Sequence, residues 1–281
     1  MALDAVAFTA FERTAHDSIA NRYAKVFTPL TSLAVAPLLD AVRVAMGQRL
    51  LDVGTGPGVA AAAARAQGAA VTGVDVSPGM IALARKEHPD IDFQVAEVTE
   101  LPFRDAAFET MVCNFALGHF PKRDAALAEC VRVLASGGVL AFSWWDQPER
   151  QRVQGLFREV IAELALPPGP SVPQGHDTLR YSDPTALAGL LSGAGLDGVA
   201  VATHRTTHLM PDAEALWQAG MGGMVVTAGA LAAQDAATQA RARNALARRA
   251  EAYRSPRGLE IPIAFLIGTG RKLPNPETPN P

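Results

Sequence analysis

The chain has 281 residues, 49% of them hydrophobic and 19% charged, which is enough apolar material for one large α/β domain or two small ones. A net charge of −3 argues against a nucleic-acid partner, whose footprint would need an excess of Lys and Arg. The two cysteines, Cys113 and Cys130, form no C-x-x-C pair and have no His cluster nearby, so they read as buried hydrophobes in a reducing, cytoplasmic compartment.

Asp4 and Glu12 interrupt the N-terminal apolar residues early, and no signal peptide is expected. Phe8, Phe11, Ala15 and Ile19 recur at roughly helical spacing across Phe8–Ala24. Thr28-Pro29 breaks that pattern, and a second helix is expected from Leu30 to Val44, bent or restarted at Pro37. Leu50–Gly58 then reads Leu-Leu-Asp-Val-Gly-Thr-Gly-Pro-Gly, a buried strand running into alternating glycines. Glycine tolerates positive φ and lets a ligand approach the backbone, so this is a candidate binding loop, with the helix Ala60–Ala66 starting behind it.

The chain alternates from there. Val71–Val74 is a strand, followed by Ser77 as N-cap and Pro78 at the first position of a helix continuing through Gly79–Glu87. Ile91–Val95 and the nearly all-apolar Phe108–Phe115 are further strands, the latter suited to a parallel sheet covered on both faces. Arg123–Leu134 is a helix that the Ser136-Gly137-Gly138 turn should end, and Val139–Ser143 is the next strand. After Trp144-Trp145 come a helix over Glu149–Leu166, a Pro/Gly-rich loop over Gly169–Thr178, and a helix capped by Asp183 that closes near Gly193 and Gly195. Leu196–Met210 is a long strand, Asp212–Tyr253 holds two or more Ala-rich helices, and Ile261–Thr269 is the last strand, placed at an antiparallel edge by Pro262. Ala215–Gln234 is long and uncharged, but Gln218 and its glycines argue for a buried helix or pocket lid and against a membrane span. Seven strands interleaved with helices predict an α/β fold with a doubly wound, mostly parallel sheet.

The glycine loop has two candidate owners. A nicotinamide-dinucleotide site wants G-x-G-x-x-G, but the position of its third glycine is Val59 here, and the glycines Gly54, Gly56 and Gly58 alternate instead. Asp75, at the end of the second strand, is placed to accept two hydrogen bonds from a ribose diol, which suits a nucleoside cofactor of either kind. His204 and His208 face one side of a strand without Cys or carboxylate partners in sequence, and no metal is expected.

Taken together, Leu50–Gly58, Val71–Met80, Val95–Phe103, Phe108–Pro121 and Arg132–Ser143 resemble, in order, the motifs of class I S-adenosylmethionine-dependent methyltransferases. The likeness is greatest to the small-molecule type that methylates quinones and menaquinone precursors. It implies a Rossmann-like core (46–146, continued in 183–210 and 258–272), an N-terminal helical lid (1–45), cap inserts (147–182 and 211–257) and a disordered tail (273–281). It also implies S-adenosylmethionine as cofactor, with Gly54, Thr55, Gly56 and Gly58 at its aminocarboxypropyl end and Asp52 orienting its ammonium group. Asp75 and Val76 would sit at the ribose, and Met80, Glu97 and Val98 at the adenine. Asn114 and Phe115 would lie beside the sulfur, under Tyr23 of the lid. Glu97 departs from the family's usual Asp at that position. His119 is a base or a loop scaffold, and His16 a solvated or capping residue.

The resemblance places the acceptor under the lid and cap, where Phe11, Trp144, Trp145, Trp217, Met221 and Met224, with a movable Gly222-Gly223, suit a hydrophobic, planar molecule. The Asn/Asp-Pro-Pro-Tyr/Phe segment that holds a flipped-out base is missing after Phe108–Phe115, which agrees with the charge in excluding nucleic acid. O-, N- or C-methylation by in-line transfer is expected, and a homodimer is allowed. The alternatives are a protein of this fold that catalyses a non-methylating pericyclic or isomerising step, a non-catalytic binding subunit, and, last, a nicotinamide dehydrogenase.

Overall fold

The computed structural model describes residues 4–167, 169, 177 and 179–274. The chain opens with α1 (Ala5–Val26), a short α2 (Thr28–Thr31) and α3 (Val35–Val42). It then alternates through β1 (Arg49–Val53), α4 (Val59–Ala66), β2 (Ala70–Asp75), α5 (Pro78–Glu87), β3 (Asp92–Val95), β4 (Phe108–Asn114), α6 (Arg123–Val133) and β5 (Leu134–Trp145). The five strands pair in parallel in the order β3-β2-β1-β4-β5, so the winding direction reverses between β1 and β4. In open α/β sheets a ligand crevice lies beyond the strand ends at such a reversal.

Both faces of the sheet are covered, which is why β1 is buried from Leu50 through Val53, Asp52 included. Successive side chains point to opposite faces. Leu50 joins the layer formed with α3, α4, α7 (Arg152–Glu163), and later helices, whereas Leu51 and Val53 join the layer under α6 and α8 (Pro184–Gly193). The remaining elements are β6 (Leu196–Met210), α9 (Ala213–Gly223), α10 (Val225–Ala232), α11 (Ala236–Ala250), the two-residue β7 (Arg254–Ser255) and β8 (Gly258–Lys272). The seven strands expected are present, β7 making an eighth. Ser77 and Asp183 cap α5 and α8 as their sequences predict, accepting from Met80 N–H at 3.1 Å and Thr185 N–H at 2.8 Å.

Several expectations need correction. The break after α2 is a tight turn at Ser32–Ala34, and Pro37 lies in the first turn of α3, where its missing N–H costs no helical bond. Gly137 and Gly138 do not stop α6. That helix ends at Val133, Leu134 already pairs with Phe108, and the two glycines sit in an irregularity where the β4–β5 register shifts. The next helix is shorter than expected, starting at Arg152 behind the cap of Gln151. β8 runs antiparallel but lies between β5 and β6, so β6 is the edge. Pro262 is tolerated there because β5 pairing stops at Phe265, leaving one side of β8 open at the proline. Ala215–Gln234 folds as α9 and α10, bent by 105°, and among the described residues no single helix is long and apolar enough to cross a membrane. Most of the expected loop over Gly169–Thr178, and the tail from Asn275, lie outside the described residues.

Phe142, fully buried in the α6/α8 layer, tests this packing. Phe142→Ala should cost about 3–5 kcal/mol of unfolding free energy in urea titrations; a loss under about 1 kcal/mol would contradict the packing described.

Candidate active site

The ends of β1, β2, β3 and β4 surround a cleft roofed by α1. Its floor is the loop after β1. Gly54 adopts φ +66°, and a Cβ there would overlap that of Ala116, so glycine lets the loops after β1 and β4 meet. Gly56, at φ +53°, has no atom within 4 Å of the place a Cβ would occupy, leaving open space above its backbone.

Asp75 ends β2 in the same cavity. Its carboxylate accepts from the N–H of Gly56 and of Ser77, each at 2.9 Å, tying the first loop to the start of α5. Burial pushes its pKa up, and these two bonds oppose that rise. Val76 and Met80 continue the wall, followed by Glu97 and Val98 after β3. Glu97 turns back on its own loop: burial raises its pKa against bonds from Thr99 and Val98.

At the end of β4, Asn114 is held at both ends of its amide. Its NH₂ donates to Thr31 O at 3.1 Å, and its oxygen accepts from the Ser143 hydroxyl at 2.7 Å. The same Ser143 Oγ accepts from Phe115 N–H at 3.0 Å. Phe115 takes φ +57° and stacks on Trp145, with ring centroids 3.7 Å apart. Beyond this stack lies a second cavity walled by Phe27, Trp144, Trp145 and Met224, with Gln154 and Arg158 as polar members. Glu12, Tyr23, Phe115 and His119 line both cavities, so their occupants would be neighbours.

Over this boundary α1 places three groups together. His119 Nδ1 lies 2.9 Å from Glu12 Oε2, and His16 Nδ1 lies 3.3 Å from the same oxygen and 2.9 Å from the Glu12 carbonyl. Glu12 is only 4% exposed. Burial opposes its ionisation, but the two imidazoles outweigh this and hold it well below the usual carboxylate range. Burial likewise works against a charged His16, yet the bonds to Glu12 raise its pKa overall. Tyr23 is a poor base, because burial pushes its phenol pKa up. The carboxylate and two imidazoles have their ligand atoms within 4.8 Å of one another, a donor set able to take a divalent cation although none is expected from the sequence.

The profile of the Methyltransferase domain family matches residues 51–142. The demethylmenaquinone methyltransferase of Beutenbergia cavernae is 30% identical over 65% of this chain and 81% of its own length. The chain belongs to the class I S-adenosylmethionine-dependent methyltransferases. It is an enzyme that methylates a small molecule with S-adenosylmethionine as cofactor. Among solved structures, the YcgJ protein of Bacillus subtilis superposes with a TM-score of 0.54 at 16% identity, covering 86% of this chain and 99% of that one. A [4+2]-cyclase does so with 0.50 at 21% identity, over 87% and 81%; fold alone therefore does not separate methyl transfer from ring closure.

Three residues expected at the methyltransferase's cofactor lie under the loop instead of facing the cavity. Asp52 is fully buried; its Oδ2 accepts from the Thr55 hydroxyl at 2.7 Å and from Ala61 N–H at 3.0 Å, anchoring the loop to α4, and its Oδ1 has no hydrogen-bond partner among the described residues. Thr55 is spent on that contact, and Gly58 faces His88 and Phe93, where a Cβ would collide. Of the acceptor candidates, Trp144, Trp145 and Met224 line the second cavity. Phe11 packs on Phe8 on the outer helix, Trp217 stacks on Phe157, and Met221 packs on the core. Gly222 and Gly223 are not a hinge: Cβ atoms there would run into Val26 and Phe27, so they let α9 approach the end of α1. His16 is neither solvated nor a cap. Glu12 was legible only as an acid on the same helical stripe as Phe8 and Ala15.

Burial raises the Asp52 pKa to about 7 from an ordinary 3.8. Between these values the folded protein holds a proton that the unfolded chain releases, so this group's contribution to stability falls as pH rises. Wild type should therefore lose stability relative to Asp52→Asn as pH climbs from about 4 to about 7 in paired urea titrations. A difference independent of pH would refute the raised pKa.

Proposed function

We propose that this methyltransferase methylates a planar, hydrophobic, hydroxylated ring of the quinol type, with the cofactor in the first cavity and the acceptor in the second. The observation that carries the proposal is the wall of Phe115 and His119 shared by the two cavities, which would set an acceptor ring beside the cofactor. The aromatic lining of the second cavity supports a flat apolar acceptor, and Gln154 and Arg158 offer donors to its oxygens. The name of the Beutenbergia cavernae relative agrees with this acceptor class.

The first cavity fits the cofactor. The space above Gly56 is open, Asp75 retains lone pairs beyond its two backbone bonds, and Met80 and Val98 supply apolar walls for a purine. Asp75 would hold the ribose hydroxyls and Val76 would pack there. Gly54 and Gly56 would approach the aminocarboxypropyl end, Glu97 and Val98 would meet the adenine edge, and Asn114, Phe115 and Tyr23 would close around the sulfur. Thr55, Gly58 and Asp52 shape the loop from below. When bound, S-adenosylmethionine would supply a methyl group activated by its sulfonium, from which a neutral thioether is a good leaving group. The chain's residues then align the acceptor and exclude water, and positioning of this kind supplies up to about 7–11 kcal/mol in ideal cases. His119 would take the acceptor's proton. The described residues of 1–45 would act as lid and those of 147–182 and 211–257 as cap. A cytoplasmic setting is supported by two buried free thiols, and the open edge β6 is where a second copy would pair. Nothing favours the non-methylating or binding-only alternatives.

Incubation with methyl-labelled S-adenosylmethionine and a demethylated naphthoquinol should yield labelled quinol and S-adenosylhomocysteine; product of unchanged mass would overturn the proposal. In calorimetry the protein should bind S-adenosylmethionine and not NADH. Asp75→Ala should weaken cofactor binding about 100-fold or more, since two charge-assisted hydrogen bonds are lost. An affinity within about twofold of wild type would remove Asp75 from the site.

A further inference from the structure

Helix α1 is seated by unusual means. Of its 22 residues only Phe8, Glu12 and Ala20 are buried, an apolar face too thin to hold the helix on the protein by burial alone. Polar contacts hold it as well. Asp17 accepts from Gly79 N–H at 2.8 Å and from the Ser77 hydroxyl at the start of α5, immediately after the ribose-side Asp75. Arg22 donates to Gln218 on α9 at 2.8 Å. Glu12 reaches His119, 107 positions away, and is the one charged residue among the three buried.

A carboxylate leaves water at a cost unless it is paired, and a mere anchor would be served as well by an apolar side chain. This one instead fixes the ring that faces both cavities. With Nδ1 engaged by Glu12, His119 has Nε2 left to receive a proton. The rings of His16 and His119 meet edge-on, with centroids 5.0 Å apart, and His16 holds the other side of the Glu12 carboxylate. Because α1 also roofs the cofactor cavity, through Thr9, His16 and Tyr23, it cannot leave for cofactor exchange without taking Glu12 from His119.

We propose that Glu12 is a positioning residue carried by a lid: it orients the His119 ring, and this couple is complete only while α1, latched by Asp17, covers the bound cofactor. This rests on the methyl-transfer reading above. The acceptor's hydroxyl proton passes to His119 Nε2 as its O–H bond breaks. The released electron pair serves the oxygen that gains the methyl, or the ring carbon, which then loses its own C–H proton as the oxygen regains one; the cofactor's sulfonium becomes a neutral thioether, and a net single proton reaches solvent. The base is thus withheld until the methyl donor is enclosed.

The test uses full-length protein labelled with ¹⁵N-histidine, in EDTA, with S-adenosylhomocysteine as the probe and His16→Asn and His119→Asn for assignment. With the probe bound, His119 should show a strongly deshielded Nδ1–H that exchanges slowly with water. Without the probe, exchange should be faster. Glu12→Gln should abolish the deshielding and lower turnover about 10- to 100-fold at saturating cofactor. Asp17→Asn should weaken probe binding about tenfold and restore the signal only at saturation. A signal indifferent to Glu12→Gln, or unchanged in wild type by the probe, overturns the proposal while leaving methyl transfer intact. A signal that depends on added Zn²⁺ or Co²⁺ makes the cluster a metal site and overturns it too. Failure of S-adenosylhomocysteine to bind wild type sinks the functional reading, and this one with it.

Discussion

The geometry of the site depends on how one carboxylate spends its lone pairs. Asp75 ends β2, one strand from the point where the sheet's winding reverses, and accepts backbone N–H groups from Gly56 on one side and Ser77 on the other. Backbone donors are fixed by the fold and have no rotamers, so the loop after β1 and the first turn of α5 are registered to each other through a single side chain. The Asp17 latch grips the same turn, through Ser77 and Gly79. Helix α1, the glycine loop and the Asp75 carboxylate therefore form one connected unit, and a change in Asp75 would disturb the loop as well as the diol it is proposed to hold.

Beneath that unit a second carboxylate does different work. Asp52 points away from the cavity into the junction of β1, the loop and α4, and burial makes its ionised form so unfavourable that its pKa reaches about 7. Two acids separated by one strand pairing thus divide the tasks. Asp52 sets the loop from below with the Thr55 hydroxyl and Ala61 N–H, and Asp75 faces the cavity from the rim. The unpartnered Oδ1 of Asp52 is where that arrangement is least well satisfied.

Local rules made most of the architecture legible. Ser77-Pro78 and Asp183-Pro184 start helices because each cap and each proline acts within one turn, and β1 and β4 read as buried because parallel strands are apolar on both sides. The rim of the first cavity followed from the same regularity, since Gly54, Gly56 and Asp75 all lie at or just beyond strand ends. What failed depends on tertiary neighbours that no local pattern encodes. Gly222-Gly223 resembles a hinge until Val26 and Phe27 are seen against it, and Trp217 resembles a pocket wall until Phe157 covers it. Pro262 implied an edge because a sheet position open on one side only locally cannot be told from a true edge in sequence. Glu12 was hidden for the same reason: besides His16 on its own helix, its partner is His119 on a different element.

Phe115 draws these strands together. A non-glycine residue in the left-handed region costs on the order of 1–2 kcal/mol, and a bulky one is seldom found there. Here the conformation is held by Ser143, which takes the Phe115 N–H, and by Trp145, which stacks on the ring. The consequence is that the aromatic face lies along the boundary of the two cavities, beside His119, instead of following β4 into the sheet. Methyl transfer between two enclosed molecules needs a boundary that is dry, flat and rigid, and His119, the proposed base, lines both of its sides. The strain at Phe115 is therefore best understood as the cost of building that boundary, offset by the Asn114–Ser143–Thr31 network that pins the end of β4. In the proposed function, substrate choice would fall to the outer wall of Phe27, Trp144 and Met224, which line the second cavity and not the first.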